Sequence, residues 1–217
     1  MSAGYGDLLY ILDDVRRNVA HSRLIWCTTA DGFETTVSSR RGLILGGAWS
    51  PHFLRDGGAA LWDVPWTMKV WSPTIVTIEK VVAPLSEWLP LMEAVAQAGS
   101  SLLVVTRDVS TELLRTFIVN ALKETLSCCV VHMAEDETAW GIPVTMPWGV
   151  VEAPPKKAAG LPQAAEAWIR RTATVLFTAP DSDWVPSQEI TIIYVGGRNH
   201  DDQHDRLRFL VETIQSS

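Results

Sequence analysis

Basic residues are the minority charge in this chain. Lys and Arg total 18 against 25 Asp and Glu, a formal net charge of −7 over 217 residues. Phosphate backbones and anionic lipid surfaces are held through clustered Lys and Arg. Neither nucleic acid nor an anionic membrane is therefore expected as the main partner. Long apolar runs are also missing: none reaches the roughly 18–20 residues that a membrane-crossing helix needs, so direct membrane insertion is not expected. The opening segment mixes Asp7, Asp13, Asp14, Asp31 and Glu34 with its arginines, which fits neither a signal peptide nor a typical transit peptide. Cysteine is scarce. Cys27, Cys128 and Cys129 are an odd set with two adjacent in an apolar run, and the reading is buried, reduced thiols in a reducing compartment. The mitochondrial matrix and the bacterial cytoplasm both fit. Catalytic signatures are lacking too: no Gly-x-Ser-x-Gly, no Walker loop, no Gly-x-Gly-x-x-Gly and no Cys-x-x-Cys. No enzymatic activity and no cofactor is expected.

Tryptophan, in contrast, is abundant. There are ten, and Trp49, Trp62, Trp66 and Trp71 crowd into one turn-rich segment that can bury only some of them. With 47% apolar residues the chain has the material for a proper core in one or two domains. Apolar positions at helical spacing predict a helix over Leu8–Val19. Ser22–Thr29 and Phe33–Val37 flank Asp31-Gly32, the pattern of a β-hairpin. Gly42–Ser72, with its Gly-Gly pairs and Pro51 and Pro65, reads as short strands and turns. Thr74–Val82 reads as a strand. Ser86 is a plausible N-cap for a helix that runs to about Ala98 and stops at Gly99, with Pro90 near its first turn. Leu102–Thr106 is a short buried strand, Ser110 caps a second helix with Glu112 in its first turn, and Cys128–Met133 is another buried strand. This succession is a βαβαβ unit, so the sheet here is expected to be parallel and doubly wound. Farther on, Ala164–Ile169 suggests a short helix, Thr172–Thr178 and Glu189–Val195 suggest strands, and Asp201–Gln215 a closing helix.

Within that unit, Leu85–Gly99 reads Leu-Ser-Glu-Trp-Leu-Pro-Leu-Met-Glu-Ala-Val-Ala-Gln-Ala-Gly, and Thr111–Asn120 reads Thr-Glu-Leu-Leu-Arg-Thr-Phe-Ile-Val-Asn. With the strand between them these residues closely resemble the peptide-binding face of the GroEL-type (group I) chaperonin apical domain. Arg41-Gly42 followed by Trp49-Ser50-Pro51-His52-Phe53 resembles the family's Arg-Gly-Tyr-Leu-Ser-Pro-Tyr-Phe turn, with a few residues inserted. The N-terminal helix and Asp31-Gly32 resemble the ascending half of the intermediate domain. Ile192-Ile193-Tyr194-Val195-Gly196-Gly197 and the closing helix resemble the descending half. The resemblance implies an α/β fold: an apical-like domain over 41–189, with a parallel βαβαβ core and flanking β-hairpins, and a small α+β intermediate-like subdomain from 1–40 and 190–217. It departs from the family in three places. The phosphate-binding glycine loop and the Gly-Asp-Gly-Thr-Thr segment of the equatorial domain are absent from these residues. Glu212 stands where the family's descending helix carries the aspartate that activates water. Met133-Ala134-Glu135-Asp136-Glu137-Thr138 replaces Gly-Phe-Gly-Asp-Arg-Arg. No ATP binding and no ring assembly by this chain alone are implied.

The groove can also be argued from the residues. On the second helix Leu113, Leu114, Phe117, Ile118, Ala121 and Leu122 span about half the circumference, and Val119 lies beyond them. One face suffices for packing on a sheet. The surplus row of Leu114, Ile118 and Val119 needs another cover: a further element of this chain, a partner or a bound peptide. The resemblance points to the last two. It implies polypeptide contacts at Leu89, Met92, Leu114, Ile118, Val119 and Asn120, with Ser50, His52 and Phe53 at the rim. Met suits a site that adapts to varied partners.

Two functional readings follow. The first is a free-standing holdase for unfolded polypeptides, a minichaperone. The second is a chaperonin-derived scaffold held as a subunit of a larger assembly. The Trp cluster favours the second, because Trp is enriched where stable interfaces concentrate their energy. An unrelated α/β enzyme is a third reading, weakened by the missing motifs. His200 and His204, four apart on a predicted helix, have a spacing able to grip a metal. The alternative is a solvated acidic helix start, and with no further ligand cluster in the sequence no metal site is expected. Cys128-Cys129 reads as core packing rather than a redox centre.

Overall fold

The computed structural model describes residues 5–19, 24–49, 68–81, 83–133, 151–169, 173–178 and 188–215. They divide into two units. One comprises the described residues up to Gly42 and those from Gln188 onward; the other runs from Leu43 and includes Met68 to residue 178.

The terminal unit joins the two ends of the chain. Helix α1 (Gly6–Asn18), strand β1 (Ile25–Thr29), the first half of β2 (Thr36–Trp49), β9 (Gln188–Val195) and α4 (His200–Gln215) build it. Strand β9 lies in the middle, parallel to β1 with Cys27 opposite Ile193, and antiparallel to β2 with Val37 opposite Ile193. The expected hairpin across Asp31-Gly32 is therefore absent: β1 and β2 flank β9 and do not pair with each other. The physical reason lies in the connection. Residues 30–35 are too many for a two-residue turn, and Ala30 N–H donates instead to the Val195 carbonyl at 2.9 Å. Leu8, Leu12 and Val15 of α1 and Leu207 and Leu210 of α4 bury against Ile25, Cys27, Ile193 and Val195. Tyr5 stacks on Phe209 with ring centroids 4.7 Å apart.

In the second unit the strand order is β3 (Met68–Trp71), β7 (Glu166–Ile169), β8 (Ala173–Phe177), β2, β6 (Cys128–Met133), β5 (Ser101–Val109), β4 (Pro73–Val81). Strands β4, β5 and β6 are parallel neighbours. The Leu102–Val105 and Cys128–Val131 runs are buried throughout, as strands covered on both faces must be. Helix α2 (Leu85–Gln97) connects β4 to β5, and α3 (Thr111–Leu122) connects β5 to β6. Because the three strands progress in one direction, like-handed crossovers place both helices on one face. The Trp88 and Phe117 rings meet there. The three-stranded β4–β5–β6 part is parallel as expected but singly, not doubly, wound, and the strands beyond it pair antiparallel. Residues 151–164 pack on the same core through Val151, Ala158, Leu161 and Ala164. They also occupy the outer edge of β4, with Val151 N–H donating to Thr77 O and Ile75 N–H to Pro162 O, each at 2.8 Å.

Three more expectations change. Gly42–Trp49 continues β2 rather than breaking into turns, because its backbone pairs with β6 after leaving β9. Residues 166–169, read as helix, are strand β7, held between β3 and β8 and fully buried. Pro90 sits in the second turn of α2 rather than the first. It withholds the N–H that Ser86 O would accept, but Ser86 is exposed, so water can serve that carbonyl.

Candidate polypeptide-binding face

Helix α2 begins at Leu85 after Pro84, with no side-chain cap; Ser86 falls inside the first turn rather than capping it. It ends where Gly99 takes φ +64°, the left-handed conformation that glycine tolerates. Helix α3 begins as expected: the Ser110 side chain accepts from Leu113 N–H at 3.4 Å. Between them lie Trp88, Leu91 and Val95 of α2 and Leu113 and Phe117 of α3, all buried on the sheet. Leu85, Leu114, Ile118 and Ala121 are partly buried and pack on that core.

Three large apolar side chains remain outside. Leu89 is 43% exposed, Val119 45% and Leu122 55%. The expected contacts therefore separate by depth. Leu89 and Val119 lie at the surface; Leu114 and Ile118 are half-covered. Met92 is only 6% exposed and belongs to the core rather than to an open face. Leu122, assigned to the packing arc by periodicity, extends the surface strip instead. Its position as the last residue of α3 was the available signal, since a helix end outruns the sheet beneath it. Asn120 is committed within α3: its Nδ2 donates to Thr116 O at 2.9 Å, and its Oδ1 accepts from Thr125 Oγ1 at 2.8 Å. Ser50, His52 and Phe53 lie outside the described residues, as do Trp62 and Trp66. Trp71 is described and is 64% exposed on β3. The exposed charged residues of the two helices are Glu87 and Glu93 on α2 and Glu112 and Arg115 on α3, with Lys123 at the C-cap of α3.

The C-terminal ends of β4 and β5, where α/β sheets often bind ligands, are closed on themselves. Thr106 Oγ1 donates to Asp108 O at 2.8 Å, Ser110 N–H donates to Val81 O at 3.0 Å, and Arg107 pairs with Glu79 at 3.3 Å. The Thr106 hydroxyl and the Ser110 N–H are occupied within the chain rather than aimed at a phosphate. The three cysteines are buried. Cys128 Sγ donates to Phe117 O at 3.2 Å, and burial pushes its thiol up to about 12, with Cys129 pushed up further by the same cause. Such thiols stay protonated and pack as small apolar groups. Among the described residues no group of three or more His, Cys, Asp or Glu side chains is disposed to hold a metal ion, and no helix is long and apolar enough to cross a membrane. No protein-family model matches the chain.

Proposed function

We propose that the unit carrying α2 and α3 is a polypeptide-binding module of the GroEL apical-domain type, working without ATP, and that it clasps an apolar segment of a protein partner as a fixed subunit of a larger assembly. In this reading the terminal unit corresponds to the family's intermediate domain. The observation that carries the proposal is the strip of Leu89, Val119 and Leu122 left at the surface of two helices whose sequences resemble the family's binding helices. Large apolar side chains are costly to leave in water, and several of them on two helices that meet through Trp88 and Phe117 favour an interaction face. A helix-lined face is suited to an extended or helical segment. The exposed Trp71 supports a fixed partner over a stream of clients, because a buried Trp anchors stable interfaces, whereas promiscuous binders rely on flexible aliphatic and Met surface.

Isolation of the chain from its native source under mild conditions tests the choice. A stoichiometric complex with one or a few defined proteins is expected. A heterogeneous set of unfolded polypeptides, released by competition with a generic apolar peptide, contradicts the scaffold reading and supports the holdase.

A further inference from the structure

Asp31-Gly32 has the sequence of a hairpin turn but makes none, because β9 lies between β1 and β2. The pair sits instead in the connection of residues 30–35, and both residues are exposed. A Cβ placed on Gly32 would meet nothing within 4 Å. Among the described residues no hydrogen bond engages the Asp31 carboxyl or the Gly32 N–H. An aspartyl carboxyl followed by glycine can react with the next peptide nitrogen, since glycine puts no side chain in the way and leaves the backbone free to turn into the reactive conformation. Burial or a hydrogen-bonded backbone would oppose that ring closure, and neither holds this pair among the described residues. We propose that Asp31 is a site of spontaneous isoaspartate formation, and that the altered linkage loosens the junction between the two ends of the chain.

The chemistry needs only water. The Gly32 nitrogen attacks Cγ of the protonated Asp31 carboxyl and forms the new N–Cγ bond of a cyclic succinimide. The carboxyl OH and the amide proton leave together as water. Water then adds back to the ring. Opening at Cγ restores aspartate; opening at the α-carbonyl carbon leaves the main chain running through Cβ and Cγ, one atom longer than before. That atom enters a connection tied at both ends. At one end Ala30 N–H donates to Val195 O at 2.9 Å, and Ala30 O accepts from Gln203 Nε2 at 2.7 Å. At the other, Thr35 Oγ1 accepts from Gly196 N–H at 3.1 Å, and the Phe33 backbone lies so close to Gly196 that no Cβ fits there. Lengthening the backbone between these ties displaces one of them, and they hold the loop after β1 to the end of β9 and to α4.

The test is incubation of the full chain under native conditions, at mildly acidic and at neutral pH. Products are mapped by residue through peptide mass analysis and enzymatic methylation of the isoaspartyl carboxyl. Mapping by residue matters because Asp56-Gly57, the chain's other Asp-Gly pair, lies outside the described residues. Isoaspartate at residue 31, preceded by a species lighter by one water, is expected to outrun formation at every aspartate not followed by glycine. Gly32→Ala, with open space around it, and Asp31→Glu, whose side chain would have to close a larger ring, should each lose the product while keeping the starting Tm. The fraction modified at residue 31 should unfold at a lower Tm than unmodified chain from the same incubation. Isoaspartate at residue 31 that forms only in unfolded chain, or undiminished in Gly32→Ala, overturns the proposal. A modified fraction that unfolds with the parent overturns the consequence drawn for the junction.

Discussion

Trp88 of α2 and Phe117 of α3 meet edge to face with ring centroids 5.5 Å apart. Both side chains are fully buried, so this contact fixes how the two helices lie against each other and what they leave outside. The surface strip is a consequence of it: with Trp88, Leu91 and Phe117 turned to the sheet, Leu89, Val119 and Leu122 have nowhere to bury.

Phe117→Ala should cost about 3–5 kcal/mol of stability, the range for deleting a fully buried aromatic ring. Phe117→Leu, which keeps most of the apolar volume, should cost clearly less. Chemical denaturation measures both. An equal loss in the two variants would mean that the ring is not packed as described. Trp88 adds a contrast, because its indole N–H has no hydrogen-bond partner. Trp88→Phe removes that buried donor along with some volume, so it should be much milder than Trp88→Ala.

Gly196 and Gly197 end β9 at a point where backbones touch. A Cβ on Gly197 would sit 2.6 Å from the Gln203 backbone, and one on Gly196 would collide with the backbone of Phe33. Either glycine changed to Ala should lose about 1–3 kcal/mol or more, because neighbouring backbone cannot step aside as a side chain can. Gly32→Ala has open space around it and should be close to neutral. Thermal unfolding of the three variants orders them directly.

Arg206 bridges the two helices of the terminal unit, pairing with Asp7 at 2.5 Å and donating from Nε to Gly196 O at 2.8 Å. The Arg206 guanidinium holds the Asp7 carboxyl below its ordinary value. A depressed carboxylate stabilises the fold above its unfolded pKa, and that contribution is lost as pH falls through the lower folded value. The loss attributable to Asp7 should therefore appear below about pH 4 and be missing in Asp7→Asn. Asp7 is half exposed, so at neutral pH the pair is worth under about 1 kcal/mol and weakens with salt. Arg206→Ala should cost more than Asp7→Asn, since it also leaves the Gly196 carbonyl without its donor. Equal effects would contradict the role given to the Gly196 contact.

Much of this architecture can be read from local chemistry. Ser110 caps α3, the Cys128–Met133 strand has the expected bounds, and Gly99 ends α2 because each signal acts on its own neighbours. What local chemistry cannot show is which distant segment arrives as a neighbour. Asp31-Gly32 reads as a hairpin, but β9 comes from the far end of the chain and separates the two strands. The alanines of residues 164–169 favour a helix intrinsically, and pairing with β3 and β8 overrides that preference. The binding face follows the same rule. Helical periodicity gave Leu114, Ile118 and Val119 as the surplus row, of which only Val119 is exposed, and it could not say that Met92 falls on the covered side of the boundary and Leu122 on the open side. Nor could it show that the Asn120 amide is occupied by Thr116 and Thr125.

The polypeptide-binding proposal is tested most directly at residues that are exposed rather than half-packed. Ile118→Glu confounds the issue, because Ile118 also packs on the core and a buried charge there would weaken the fold itself. Leu89→Glu and Val119→Glu place the charge at the surface. The decisive measurement is the affinity of the Leu89→Glu/Val119→Glu variant for the co-isolated partner or for an apolar peptide, taken together with its Tm. A parent-like Tm with binding weakened by about a hundredfold, the equivalent of some 2.7 kcal/mol, is the predicted result. Parent-like affinity in a folded variant would contradict a binding face on α2 and α3.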